Sequence, residues 1–418
     1  DAFGGENNKF SLSNFRKKVE KFMWKKEKAM FSDVTATVKY IGVNDRDLDL
    51  FESQYPLPKG MAYNSYLILD EKVALMDTVD ARKTDEWKDN LLETLDGKTL
   101  DYIVVQHLEP DHSGSLQLAV DLFPQAKIVG SAKTIAMLPQ FIIGDLSDRT
   151  QEVKEGDELN LGSHNLKFIM APMVHWPEVM LSYESSEKIL FSADAFGKFG
   201  ATDAEEEWDE EARRYYFNIV GKYGAPVQAL LKKVAGLDIQ TICALHGPVI
   251  KEDIAHVIDL YNTWSSYKAE KKGVFIAIAS IHGNTKAAAL KFADMLRARG
   301  EEVTVEEISR SDLSECVEKA FENDRMVLAA SSYDAGVFLP MQDLLTHLSY
   351  KAYQNRKVAI IQNGSWAPTA AITIKKSLDT MKNITYIDPV VTIKSTVKDE
   401  DINNLETLAD AVVAAGQN

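Results

Sequence analysis

Residues 106–112 read Gln106-His107-Leu108-Glu109-Pro110-Asp111-His112, and they follow directly on the apolar run Ile103-Val104-Val105. The stretch therefore brings two imidazoles and two carboxylates to the end of a predicted strand. Burying these four groups together without a cation would leave crowded, unpaired carboxylates, at a cost of several kcal/mol. A mononuclear site needs only three or four ligands in all. Four ligand-type residues in one loop, with more expected from elsewhere, therefore predict two metal ions side by side.

Three later segments repeat one pattern, in which an apolar strand ends in a single ligand-type side chain. They are Ala171–Pro177 with His175, Leu190–Gly197 with Asp194, and Thr241–Pro248 with His246. Each segment alone is more typical of a cap or of a satisfied core residue. Together with the first loop, however, they raise the number of candidate metal ligands to seven.

This set resembles the metal-binding motif of the metallo-β-lactamase superfamily and, within it, that of the flavodiiron proteins. Hydrolases of the superfamily generally read His-x-His-x-Asp-His and bind zinc, whereas this chain reads His-x-Glu-x-Asp-His. The hard carboxylate of Glu109 favours redox-active iron over zinc. The resemblance implies one iron on His107, Glu109 and His175, a second iron on Asp111, His112 and His246, and a bridge through Asp194.

The last third of the chain carries an independent signal for a phosphate-bearing cofactor. The run Gly273–Ala279 reads as a buried parallel strand, and it leads into Ser280–Thr285 and a helical pattern. A strand, a turn with hydroxyl groups and glycine, and a helix N-terminus together form an anion cradle. Two further apolar strands end in the loops Ser331–Gly336 and Gln362–Trp366. In a doubly wound sheet these loops gather where ligands bind.

This region resembles flavodoxin, which implies FMN, with the phosphate on the first loop and the isoalloxazine ring against the other two. Tyr333 and Trp366 would flank the ring; the alternative is that both are ordinary surface or core aromatics. The candidate FMN-binding residues are Ser280, His282, Gly283, Asn284, Thr285, Ser332, Tyr333, Asp334, Ala335, Gly336, Asn363, Gly364, Ser365 and Trp366.

Length and composition agree with two α/β domains, because 418 residues are too many for one core. We expect a metallo-β-lactamase-like αββα sandwich at residues 30–270 and a flavodoxin-like doubly wound parallel sheet at residues 271–418. Residues 1–29 carry eight basic and four acidic side chains in an amphipathic pattern. They are expected to be either an added accessory extension or a native helix that docks on a membrane surface or a partner.

Charge and cysteine content narrow the choice of partners. The net charge of −16 argues against nucleic acid, whose phosphates would be repelled. The two cysteines, Cys243 and Cys316, suggest a reducing compartment, expected to be the cytoplasm, and are too few for a rubredoxin centre or an iron–sulfur cluster. No stretch is long and apolar enough to predict a membrane span.

The resemblance implies an oxidoreductase that reduces O₂ to water, NO to nitrous oxide, or both, at a non-haem diiron site. Electrons are expected to come through FMN from an external donor, a rubredoxin or a reductase, in a head-to-tail homodimer or a dimer of dimers. Two alternatives stay open. One is a zinc-dependent hydrolase, which Glu109 and the flavodoxin-like half disfavour. The other is a flavin electron-transfer protein with a scaffold metal domain, which seven intact ligands disfavour.

Three residues outside the ligand set are candidates for catalytic roles. Many flavodiiron proteins have His-Gly after the position of Phe51, and this chain has Glu52-Ser53, which leaves the preference between O₂ and NO open. Tyr215 and Tyr216 are candidates for roles beside the metal or the flavin, against the alternative that they pack a helix face. The flavin loop is expected to differ in geometry at Pro368-Thr369, where family members often have Gly-Gly.

Overall fold

The computed structural model describes residues 33–417, and the extension predicted for residues 1–29 lies outside them. The described chain is mixed α/β, as predicted, with most of its strands in three sheets. Within the described residues, no helix combines the length and the apolar character that a membrane span requires.

The first part of the chain consists of short strands separated by turns rich in Gly, Asp and Asn, residues that favour turns over regular structure. The strands are β1 Val38–Tyr40, β2 Val43–Asp45, β3 Leu50–Phe51, β4 Tyr55–Pro56, β5 Met61–Tyr63, β6 Tyr66–Ile68, β7 Ala74–Met76, β8 Tyr102–Val104, β9 Lys127–Ser131, β10 Thr150–Val153, β11 Glu158–Asn160, β12 Asn165–Met170, β13 Met180–Glu184, β14 Ile189–Phe191 and β15 Thr241–Cys243.

Two packed sheets form the centre of this part. The strand order is β1-β6-β7-β8-β9-β10 in the first sheet and β11-β12-β13-β14-β15 in the second. Successive side chains of a strand face opposite sides of its sheet. On β6, Tyr66 and Ile68 join Phe168 of the second sheet in one apolar cluster, whereas Leu67 belongs to a cluster with the helical Trp87. The layers therefore follow the predicted αββα order.

Helices on the outside of the sandwich have one apolar face. In the helix Thr84–Leu95, for example, Trp87, Leu91 and Leu95 recur every four residues and are buried. The other α-helices of this part are Pro110–Ser113, Leu116–Leu122, Ala132–Met137, Trp208–Tyr215, Gly224–Val234 and Ile254–Ser265. Single turns of 3₁₀-helix lie at Ala81–Lys83, Leu138–Gln140, Ser147–Arg149 and Gly221–Tyr223, and a π-helical turn lies at Tyr216–Val220.

From residue 271 onward, longer strands alternate with helices, the pattern typical of a parallel α/β sheet. The strands are β16 Lys271–Ala279, β17 Val303–Glu307, β18 Asn323–Tyr333, β19 Gly336–Val337, β20 Gln354–Asn363 and β21 Lys382–Ile393. The helices are Asn284–Ala298, Leu313–Glu322, Leu339–Tyr350, Ala370–Leu378 and Asp399–Gln417.

The third sheet has the strand order β17-β16-β18-β20-β21, and each neighbouring pair is parallel. This is the 2-1-3-4-5 order of a flavodoxin-like doubly wound sheet, as predicted. Short β19 pairs antiparallel with the end of β18 and forms a tight hairpin with it. Lys271 is the first residue of β16, which supports the proposed domain boundary between residues 270 and 271.

Stacked rings and a buried ion pair join the two parts of the chain. The rings of Phe217 and Phe321 lie face to face, with centroids 4.0 Å apart and planes inclined by 10°. Beside them, Arg213 Nη1 donates a hydrogen bond of 3.1 Å to Glu318 of the second part. These contacts fix the orientation of the third sheet relative to the sandwich.

Candidate metal centre and cofactor cavity

Strand ends bring the seven predicted ligands to one edge of the sandwich. β8 leads into the loop with His107 and Glu109, and the helix Pro110–Ser113 that follows carries Asp111 and His112. Proline suits the first turn of this helix, because its missing N–H would have no partner there. His175, Asp194 and His246 follow β12, β14 and β15 in the same manner.

Four ligands form the first group: His107, Glu109, His175 and Asp194. Glu109 Oε2 lies 3.2 Å from His107 Nε2 and 2.9 Å from His175 Nε2. Asp194 Oδ2 lies 3.3 Å and 3.0 Å from the same two nitrogen atoms. The ligand atoms therefore surround one small space, as the ligands of a single ion do.

Asp111, His112 and His246 form the second group. The Nε2 atoms of His112 and His246 lie 3.1 Å apart, and Asp111 Oδ2 lies 3.3 Å and 3.2 Å from them. Asp194 Oδ1, the other oxygen of that carboxylate, lies 3.1 Å from His112 Nε2. Asp194 thus faces both groups, which is the position that a bridging ligand requires.

The chemistry of these residues fits a pair of cations. Both carboxylate oxygens of Asp111, Oδ1 of Asp194 and Nδ1 of His112 are buried without a hydrogen-bond partner. Burial alone would raise the pKa of Asp194, but the His107 and His112 imidazoles outweigh it and hold that pKa well below its ordinary value. Burial favours neutral His175, yet Asp194 and Glu109 raise its pKa to about 9. Positive charge is therefore favoured in this space, and metal ions supply it.

A second set of contacts holds the metal ligands through atoms that do not face the metal space. His107 Nδ1 donates to Glu178 Oε1 at 2.8 Å, and the N–H of Leu108 donates to the same oxygen at 2.9 Å. His246 Nδ1 donates to the Ala62 carbonyl at 2.8 Å. Asp77 accepts the backbone N–H groups of residues 106 and 107. Sequence analysis missed Glu178 and Asp77; the one signal for Glu178 is a carboxylate three residues after His175.

Glu52 and Tyr215 lie close to the metal centre. Glu52 is exposed on the turn after β3, and its pKa is raised by desolvation and by Glu109, against the opposite effects of Gln54, His175 and Lys351. The Tyr215 ring lies 5.4 Å from the His246 ring, and its buried hydroxyl has no hydrogen-bond partner. Their catalytic roles stay predictions.

Tyr216 lies elsewhere, although it follows Tyr215 directly. Its ring packs at 5.0 Å from Tyr261 and 5.3 Å from Trp264, and the charged ligand residues do not contribute to its pKa shift. Consecutive residues of a helix point in different directions, so Tyr216 faces away from the side of Tyr215. Its contacts support the packing alternative.

A cavity of about 540 Å³ lies at the carboxyl edge of the third sheet. Twelve of the fourteen predicted FMN-binding residues line it; Gly283 and Gly336 do not. Gly283 instead directly precedes the helix Asn284–Ala298 as its N-cap, at φ 88°, a backbone conformation that favours glycine. The lining residues absent from the predicted FMN set are Ile281, Ser331, Ala367, Thr369 and Ser395.

The Pro368-Thr369 pair ties the second and third loops of this cavity together. The N–H of Thr369 donates to Ser332 Oγ at 2.9 Å, and Thr369 Oγ1 donates to the Gly336 carbonyl at 2.8 Å. Asp334 and Ala335, at φ 47° and 57°, form the two-residue hairpin loop between β18 and β19. A threonine at position 369 therefore holds the hairpin that bears Tyr333.

Comparisons with known proteins agree with the metal-binding and the flavodoxin-like parts of the chain. A family model described as ODP family beta lactamase matches residues 61–247. An uncharacterized protein from Methanocaldococcus jannaschii is 30% identical over 380 residues, which cover 89% of this chain and 95% of that protein. An anaerobic nitric oxide reductase flavorubredoxin from Vibrio vulnificus is 31% identical over 353 residues, which cover 80% of this chain and 70% of that protein.

Solved structures share the whole architecture. Rubredoxin oxygen:oxidoreductase from Desulfovibrio gigas has a TM-score of 0.86 at 25% identity, with 92% of this chain and 98% of that chain covered. The flavodiiron protein from Giardia intestinalis has a TM-score of 0.83 at 23% identity, with 92% and 97% covered, and shows the same fold.

A metallo-β-lactamase-like sandwich with a double metal-ligand group, joined to a flavodoxin-like sheet with a cofactor cavity, defines an oxidoreductase that combines non-haem diiron with FMN. The chain belongs to the flavodiiron protein family.

Replacing Glu178 by leucine is expected to weaken iron binding by about 10- to 100-fold, because His107 Nδ1 loses its acceptor. The matched Glu178→Gln variant keeps an oxygen acceptor and should lose less. Iron per chain is measured by mass spectrometry after competition with graded concentrations of a ferrous chelator. Equal iron retention in wild type and both variants would contradict this role.

Replacing Trp366 by alanine is expected to raise the Kd for FMN about tenfold, equivalent to about 1.4 kcal/mol of lost ring contact. Trp366 is 93% exposed, so its loss should leave folding stability nearly unchanged. Flavin fluorescence during titration of the apoprotein measures the Kd. The control is Ile372→Ala, which removes another exposed apolar side chain, one that does not line the cavity. An equal effect of both substitutions would count against a flavin contact at Trp366.

Proposed function

We propose that this flavodiiron protein reduces O₂ to water, NO to nitrous oxide, or both, with electrons from an external donor. The observation that carries the proposal is the position of Asp194, which faces two complete ligand groups in a chain that also has a flavin cavity. When bound, the two irons hold the gas molecule and FMN supplies electrons singly or in pairs. The relatives named nitric oxide reductase and rubredoxin oxygen:oxidoreductase support both gases as substrates.

Seven side chains would hold the irons in this proposal. We assign His107, Glu109 and His175 to one ion and Asp111, His112 and His246 to the other, with Asp194 between them. Glu178 holds His107 Nδ1, which leaves Nε2 available to an ion that the site would hold. The cavity-lining residues of the third sheet would hold FMN.

Tyr215 is proposed as a hydrogen-bond donor to the bound gas. Burial, and then the Asp194, Asp111 and Glu109 carboxylates, raise the pKa of its phenol well above the ordinary value, so it keeps its proton at neutral pH. Its hydroxyl is buried without a partner, and its ring contacts His246. A neutral phenol in this position can donate to an oxygen atom in the pocket.

The separation of the two sites within one chain supports a head-to-tail homodimer. At one end of the helix Leu339–Tyr350, Phe338 contacts Tyr333 of the cavity, with ring centroids 5.8 Å apart. At the other end, Lys351 lies 6.0 Å from the Tyr55 ring, near Glu52. The 12 residues of this helix span about 18 Å. A second copy that places its FMN cavity against the metal centre of the first copy would shorten the distance that electrons travel between the two sites.

The donor in this proposal is a rubredoxin or a reductase. The name of the relative from Desulfovibrio gigas supports rubredoxin. Cys243 and Cys316 are buried and unpaired, which fits a reducing, cytoplasmic setting. The flavodoxin-like half argues against the zinc hydrolase alternative, which has no use for a flavin cavity.

The first test is consumption of O₂, and separately of NO under anaerobic conditions, by protein loaded with iron and FMN and supplied with reduced rubredoxin. Asp194→Asn should lower both rates by at least about 100-fold, because one charge shared by the two ligand groups is lost. Reduction of FMN by the donor should continue in this variant. Unchanged gas consumption in Asp194→Asn, or none in fully loaded wild type, would refute the proposal.

Glu52 is proposed to pass protons to the pocket, and Glu52→Gln should therefore lower kcat roughly 100-fold. The loss should be greater with O₂, which consumes four protons in its reduction to water, than with NO, which consumes one per molecule. Glu52→Asp, which keeps the carboxyl group, is the matched control and should retain more activity. The measurement is steady-state kcat and KM for each gas; a change in KM alone would assign Glu52 to binding.

A further inference from the structure

A second cluster of ligand-type side chains lies at the opposite end of β12 from the diiron centre. It consists of His164, Glu184 and Glu187. His164 directly precedes β12, whereas His175 follows the far end of that strand. The six residues of β12 span about 20 Å, so the cluster is a separate site. It has no role in the gas reduction proposed above.

The ligand atoms of this cluster lie close together. His164 Nδ1 lies 3.3 Å from Glu184 Oε1, and the three ligand atoms all lie within 4.8 Å of one another. In the diiron centre the corresponding distances between nitrogen and carboxylate oxygen are 2.9–3.3 Å within each group. The distance from His164 to Glu184 is at the upper end of that range.

The hydrogen bonds of His164 leave one ring nitrogen without a partner. His164 is only 3% exposed, and its Nε2 lies 2.9 Å from Thr37 Oγ1. Thr37 Oγ1 in turn lies 3.4 Å from both carboxylate oxygens of Glu187, to which it donates. When Thr37 donates to Glu187, Nε2 is the donor to Thr37, and Nδ1 carries the lone pair of the ring. Nδ1 has no hydrogen-bond partner, and it lies 3.3 Å from Glu184 Oε1, so both atoms are available to a cation.

The negative charge of the two glutamates also favours a cation at this cluster. Glu184 is completely buried, and the backbone N–H groups of Ser186 and Glu187 fix its two oxygens at 2.9 Å and 2.7 Å. Among residues 33–417, neither Glu184 nor Glu187 forms an ion pair with a lysine or arginine. With neutral His164 the cluster carries two negative charges, which a divalent cation would balance.

We propose that His164, Glu184 and Glu187 bind a divalent cation of the zinc class. One imidazole nitrogen with two carboxylates suits Zn²⁺, with water as the fourth ligand, whereas Ca²⁺ and Mg²⁺ prefer oxygen alone. Glu187 is half-buried, so the ion can enter from its side. The ion would join three segments: the turn at Thr35–Thr37, which bonds to Glu187, and the hairpins that precede β12 and follow β13. Its role is to stabilise this end of the sandwich.

The test is equilibrium dialysis of protein loaded with iron and FMN against Zn²⁺, followed by metal analysis. Wild type should bind one zinc per chain in addition to its iron. His164→Gln and Glu187→Gln should each weaken that binding about tenfold or more, with iron and FMN unchanged. The matched control Glu158→Gln alters an exposed carboxylate on neighbouring β11 and should keep the zinc. Added zinc should raise the Tm of wild type and the control only.

Three results would overturn the proposal. The first is no additional zinc in wild type, which would mean that a proton on His164 balances the cluster. The second is equal zinc binding by wild type and both ligand variants, which would assign the zinc to the acidic surface. The third is zinc gained only as iron is lost, which would place it in the diiron centre. Glu187→Gln changes a half-buried side chain, so it tests the site even if His164→Gln folds poorly.

Discussion

The two oxygens of the Asp194 carboxylate face different histidine groups, and the rest of the metal centre depends on that sharing. Oδ1 lies 3.1 Å from His112 Nε2 and Oδ2 lies 3.0 Å from His175 Nε2. Because Asp194 is completely buried, its charge must be balanced by the groups around it. β14 ends at Phe191, and the chain then carries Asp194 between the two groups. The sandwich is the scaffold that makes this position rigid.

The ends of β12 and β13 show how one scaffold supports two kinds of polar cluster. At one end, His175 follows β12 and Glu178 precedes β13; at the other, His164 precedes β12 and Glu184 ends β13. Strand ends suit such groups because the sheet fixes the backbone while the side chain leaves the apolar layer. The ring of Tyr215 lies beside the first cluster, whereas the second cluster forms hydrogen bonds with nearby turns and hydroxyl groups. Similar residues therefore occur at both ends of these strands, in different surroundings.

Short sequence patterns predicted the metal ligands and the cavity loops, whereas other residues of the two sites are brought in by tertiary packing. The ligand candidates stood at strand ends, and the cavity loops followed apolar runs, so both could be read from short stretches. Glu178 could not be read in this way, because its role depends on β13 lying beside the loop with His107. Ser395 reaches the cavity only because β21 is the neighbour of β20 in the sheet. Tyr215 and Tyr216 are adjacent in sequence, but consecutive helical residues point in different directions, so only the Tyr215 ring lies beside His246.

Charged residues from both parts of the chain interact near the metal centre. Glu52 comes from the sandwich and Lys351 from the end of a helix in the third-sheet domain, and Lys351 also lies over the Tyr55 ring. Burial lowers the pKa of Lys351, and Glu52 opposes that effect, so each charge depends on the position of the other. The stacked rings of Phe217 and Phe321 hold the two parts at their relative orientation. Packing at the domain junction thus influences the charges of Glu52 and Lys351.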